Sequence, residues 1–191
     1  GLSGVRIEVD AWDLDVVLSS SQKAFALPPG IAFCAVSDRA MAKAETVPYR
    51  GYYFDFLALA KSMAKFQTPA TSPISLMYAL DAQLEDMMAE GMEKRFQRHL
   101  ALRDRTIEWA RGHGFSLYAA PGYESPTVTC VNNDRNIDIG ALNKHLRQRG
   151  MIISNGYGAL KGKNFRIAHM GDVTMGDMEE LFAAMDDYFV N

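Results

Sequence analysis

Two spacings of apolar residues organise this chain. Asp15 to Ser19 (DVVLS) and Ile31 to Val36 (IAFCAV) are short apolar runs bounded by polar or turn-forming residues, and they predict two buried strands. Val5 to Asp15, ahead of them, reads as a short helical or turn segment rich in acids, with Trp12 as its apolar anchor. After the second run, Ser37 and Asp38 each offer a side-chain oxygen to free N–H groups, which predicts a capped helix from Arg39 to about Glu45. Phe56 to Met63 has a helical pattern. Phe66 to Pro73 holds Pro69 and Pro73 and predicts a loop. Ile74, Met77, Leu80, Leu84, Met87 and Met88 then recur at spacings of three and four, one face of a long helix. Gly91 predicts a break, and the pattern resumes from Met92 through Ile107 to Gly112.

The last third is different. Phe115 to Ala119 and Thr127 to Val131 read as strands, the second alternating with a period of two. Asp138 to Arg149 predicts a helix stopped by Gly150. Met151 to Ser154 and Phe165 to His169 predict short strands around the glycine-rich loop Asn155 to Gly162, and Asp177 to Phe189 a closing amphipathic helix. The fold class is α/β, ending in an α+β part whose helices cover one face of a small sheet. The expected division is 1–70, then connecting helices over 71–111, then a small domain over 112–191, with the boundary near residue 70.

Composition narrows the function. The chain has 191 residues, 48% of them hydrophobic and 23% charged, enough for a substantial core. A net charge of −3 gives no reason to expect nucleic acid or an anionic membrane as partner. No apolar run approaches the roughly 20 residues that span a bilayer. Cys34 and Cys130 have no metal spacing and read as buried free thiols in a reducing compartment, which points to the cytoplasm. His99, His113, His145 and His169 are scattered and form no metal pattern; His169 reads as structural. The charges from Glu85 to Arg95 read as a solvated helix face.

Between the first two strands lies SSSQKAFALPPG, Ser19 to Gly30. A single lysine, Lys23, sits among small polar residues whose hydroxyl and N–H groups suit a phosphate. Near buried strand ends a lysine can be desolvated, which frees its amine for Schiff-base chemistry.

This segment, with DVVLS ahead of it, resembles the lysine segment of the class V aminotransferases, particularly the alanine/serine–glyoxylate group. These are fold-type I enzymes dependent on pyridoxal 5′-phosphate. The resemblance implies that Lys23 forms the Schiff base with the cofactor and then acts as the acid and base of proton transfer. Gln22 would lie near the cofactor phosphate. FQTPATSP, Phe66 to Pro73, resembles the family loop whose threonine reaches the cofactor phosphate of the other subunit. Its T-x-P pattern favours Thr71, with Thr68 as the alternative. NFRIAHMG, Asn164 to Gly171, resembles the family segment whose arginine binds the substrate α-carboxylate, a role that falls to Arg166. Ala168 stands where a glycine is common.

The resemblance covers only the C-terminal half of such an enzyme: the end of its large cofactor-binding domain and its small domain. It implies a homodimer, and a fragment inactive alone, because the aspartate that pairs with the pyridine nitrogen belongs to the other half. Asp10, Asp13 and Asp15 lie too close to Lys23 to replace it. The expected reaction transfers an amino group from alanine or serine to glyoxylate or pyruvate. The alternatives are 2-aminoethylphosphonate–pyruvate transamination, or a non-catalytic dimerisation module of the same fold. Cysteine desulfurase is rejected because Cys130 lies in a strand-like run rather than a flexible loop.

Overall fold

A computed structural model describes residues 1–190. Eleven strands and α-helices are described: β1 Val16–Ser20, β2 Ala32–Val36, α1 Asp38–Glu45, α2 Phe56–Met63, α3 Ile74–Glu90, α4 Met92–Gly112, β3 Val128–Asn132, α5 Ile139–Arg147, β4 Ser154–Asn155, β5 Asn164–Ala168 and α6 Met175–Val190. Two compact units form, one from Ile7–Ala89 and one from Gly1–Arg6 with the chain from Glu90 onward. The sequence pattern puts a boundary near residue 70; among the compact units α3 goes almost entirely with the residues before it, and α4 with those after.

In the Ile7–Ala89 unit, β1 and β2 form an antiparallel ribbon with Ser20 opposite Ala32 and Val16 opposite Val36. Ser37 caps α1: its side chain accepts from the Ala40 N–H at 3.0 Å and donates to Asp15 at 2.6 Å. Asp55 caps α2 in the same way. The segment before β1 is a series of turns, and Trp12 is 56% exposed, so it does not anchor a core as its hydrophobicity suggested. Cys34 is also exposed rather than buried.

In the second unit, β3, β5 and β4 form an antiparallel sheet with β5 in the middle. Phe165 and Ile167 of β5 and Val131 of β3 face a core completed by Leu102 and Trp109 of α4, Leu142 and Leu146 of α5, and Phe182 and Met185 of α6. Period-two alternation therefore turns Asn164 and Arg166 to the opposite face of β5. Asp138 caps α5 by accepting from the N–H groups of Gly140 and Ala141. Gly150, at φ +75°, ends the turn after it. The segment 115–119 does not form a strand; Leu117 makes one isolated bridge to Val131, because Ser116 is held instead by Asp134. Arg95, expected on a solvated face, is 1% exposed and pairs with Glu90 and Asp172. Among the described residues no helix is long and apolar enough to cross a membrane.

Candidate active site

Lys23 is presented by a loop that closes on one buried serine. Ser21 is fully buried; its N–H donates to the Ile31 carbonyl at 3.0 Å, its hydroxyl to Pro28 at 2.7 Å, and its carbonyl accepts from Leu27 at 3.1 Å. Ala24 is buried beside it, and Phe25 packs on Phe33 of β2 with ring centroids 4.8 Å apart. A tight turn follows, in which the Ala26 N–H donates to the Lys23 carbonyl at 2.9 Å and Ala26 takes φ +56°. With Ser21 and Ala24 turned in, Gln22 and Lys23 are turned out and exposed. The lysine is thus not desolvated as its strand-end position suggested. Its ammonium has no hydrogen bond or ion pair among the described residues. Asp13 and Asp15 are both bound to Arg39, so neither carboxylate is available to Lys23.

The threonine loop lies in the same unit. At Gly30, φ is +150° and a Cβ would stand 2.8 Å from Leu76 Cδ2. That contact ties the Lys23 loop to the first turn of α3, into which the threonine loop leads. Thr68 uses its hydroxyl within the loop, donating to the Ala70 carbonyl at 2.5 Å and sharing a bond with Ser72 at 2.7 Å. The Thr71 hydroxyl is exposed and has no partner among the described residues.

Arg166 belongs to the other unit, in the middle of β5, opposite Cys130 of β3 and Ser154 of β4. One Nη2 donates to the Asn155 carbonyl at 3.0 Å, while the buried Nε–H has no partner. A guanidinium anchored at one corner, with donors left unpaired, is arranged to take an anion. Burial pushes the Cys130 thiol up against the opposing effect of Arg166, so a thiolate is disfavoured there. His169, just beyond β5, is fully buried and bonded through Nε2 to Thr129 at 2.9 Å.

Two features escaped the sequence. Ser21 is the buried pin of the lysine loop, although its neighbours Ser19 and Ser20 look equivalent in sequence. Asn164 is 1% exposed, and neither its Nδ2 nor its Oδ1 has a partner. Its position two residues before Arg166 was the available signal.

The aldehyde end of pyridoxal phosphate fits these residues: Lys23 is a primary amine held outward on a pinned loop, with no carboxylate bound to it among the described residues. The family model for aminotransferase class V matches residues 1–168, which include both Lys23 and Arg166. The chain therefore belongs to the class V aminotransferase family. It is 38% identical over 183 residues to a protein of Synechococcus sp. named soluble hydrogenase, small subunit, covering 95% of this chain and 47% of that protein. It is 31% identical over 175 residues to the L-aspartate–glyoxylate aminotransferase of Paracoccus denitrificans, covering 91% and 44%. Among solved structures, the alanine–glyoxylate aminotransferase of Nostoc sp. superposes with a TM-score of 0.90 at 29% identity, covering 99% of this chain and 52% of that one. The chain spans about half the length of the relatives it matches, and its fold is that of the fold-type I aminotransferases.

Proposed function

We propose that the protein takes part in transamination of a small amino acid, alanine or serine, with glyoxylate or pyruvate, using pyridoxal 5′-phosphate held at Lys23. The single observation that carries this reading is Arg166, a guanidinium fixed at Asn155 with a buried Nε–H still unpaired, on a chain that also presents an unpaired lysine. Two family members named above share glyoxylate in their names but differ in the amino acid, aspartate or alanine. That supports the acceptor more strongly than the donor.

When bound, pyridoxal phosphate supplies the carbonyl that reacts with amines and the ring that takes up the electron pair left at Cα. Lys23 holds it and, as a free amine, removes the proton from the substrate Cα. Arg166 grips the planar α-carboxylate with parallel N–H donors and so fixes the orientation of the substrate it holds. Gln22 and Thr71, or Thr68 in its place, offer amide and hydroxyl donors to the phosphate, the threonine doing so across a homodimer. The three-part division at residues 70 and 111 and a cytoplasmic location belong to the same proposal.

An amino-transfer assay tests it, with glyoxylate and pyruvate as acceptors and alanine, serine, aspartate and 2-aminoethylphosphonate as donors. Turnover of alanine or serine, with Arg166→Met raising KM about a hundredfold through loss of a bidentate charged pair, is the expected result. Preferential use of 2-aminoethylphosphonate replaces the donor, and a protein that neither binds the cofactor nor turns over any donor is a non-catalytic module.

A further inference from the structure

Asn164 and Arg166 are two residues apart on β5 and project from the same face, because Phe165 and Ile167 between and beyond them are core residues. Both carry buried polar atoms without partners. Arg166 leaves Nε–H unpaired, and Asn164 leaves its whole amide unpaired at 1% exposure. Leaving such groups unpaired is costly, and in a native protein it marks a task.

The surroundings show why the amide has so little freedom. The β4–β5 loop closes over Asn164: the Gly156 N–H donates to the Asn164 carbonyl at 2.8 Å. A Cβ on Gly156 would stand 2.5 Å from Asn164 Oδ1 and 2.0 Å from the Leu160 carbonyl oxygen. The same loop supplies the Asn155 carbonyl that holds Arg166 Nη2. One short hairpin therefore covers the amide and grips the guanidinium.

We propose that Asn164 is a positioning residue for Arg166. Its Oδ1 is the acceptor for Nε–H when a carboxylate occupies the outer guanidinium nitrogens. A free guanidinium tethered only by Nη2 can swing about that bond. A second acceptor on Nε fixes the plane of the fork, and with it the plane of the carboxylate. Neighbours two apart on a strand face lie about 7 Å apart at Cα, a span an asparagine and an arginine Nε can close together. The inference rests on the reading of Arg166 as the carboxylate anchor.

The test uses the full chain labelled with 15N-arginine, titrated with acetate as an unreactive carboxylate. In the parent chain the Arg166 Nε–H signal moves downfield and exchanges more slowly as acetate binds. Asn164→Leu and Asn164→Ser, neither of which can reach Nε with an acceptor, lose that change and weaken acetate binding about tenfold. Asn164→Asp, which keeps an oxygen at the position, restores the Nε–H change. A purely structural role for Asn164 gives no such rescue. A parent-like Nε–H response in both Asn164→Leu and Asn164→Ser overturns the proposal, as does a failure of Asn164→Asp to restore it. Arg166→Met separates the two levels. If it binds acetate like the parent, the carboxylate reading falls and this inference with it. If it loses acetate binding while Asn164→Leu and Asn164→Ser respond like the parent, only the role of Asn164 falls.

Discussion

Arg98 binds Glu90 through two parallel bonds, Nε at 2.6 Å and Nη2 at 2.9 Å, and with its remaining donors holds the carbonyls of Gly171 and Val173. Arg95 adds a third bond to the same carboxylate at 2.8 Å. The pair of arginines holds the Glu90 carboxyl down at about 2, from 4.5, against the opposing effect of burial. A depressed carboxylate stabilises the fold above its unfolded value, and that contribution is lost as the pH falls from about 4.5 toward about 2. Glu90→Gln, which leaves two cations short of their shared partner, should cost about 2–4 kcal/mol in urea unfolding at neutral pH. It should also flatten the acid limb of the stability profile.

The histidines act in the same direction over a higher range. His169 is lowered from 6.5 to about 4, and His99 is lowered as well, each chiefly by burial. The unfolded chain binds more protons than the folded one between those two values. Stability is therefore full above about 6.5 and declines as the pH falls to about 4. His169→Gln, which keeps a partner for Thr129, should remove most of the decline in that range; chemical denaturation at a series of pH values measures it.

Gly156 is required by space rather than by backbone angle. Alanine there meets the Leu160 carbonyl and the Asn164 amide well inside contact distance. Gly156→Ala should cost about 1–3 kcal/mol and loosen the hairpin that holds Arg166. A lowered thermal midpoint, with amide shifts concentrated over residues 154–166, is the expected result.

The Ile7–Ala89 unit leaves many aromatic side chains uncovered. Tyr49, Tyr52, Phe54 and Phe66 are each at least 80% exposed. Apolar surface of this kind drives association, in keeping with the proposed homodimer. Sedimentation should show concentration-dependent self-association, weakened by Phe54→Ser with Phe66→Ser. A monomer at high concentration contradicts this.

Much of the fold was legible because local chemistry and tertiary packing agree. The cap at Ser37, the helix starting near Asp138, the break at Gly91 and the alternation in β3 all depend on neighbours close in sequence. The misses are long-range. Arg95 is buried because Asp172, distant in sequence, helps to offset its charge, and no charge pattern along a helix reveals that. Segment 115–119 has strand-like composition, but Asp134 takes the Ser116 N–H. Trp12 and Cys34 are exposed although their types favour burial. The roles proposed for Lys23 and Arg166 come from the segments around them. The pinning by Ser21 and the closure over Asn164 were not legible there, since both depend on loops folding back across many residues.

Borohydride reduction of the protein as isolated from its native source, with pyridoxal phosphate added, tests the proposed role of Lys23 most directly. Peptide mass mapping should find a reduced pyridoxyl group on the peptide carrying Lys23, and Lys23→Ala should abolish it. A label confined to other lysines, such as Lys61 or Lys65, or no label at all, would contradict the central claim.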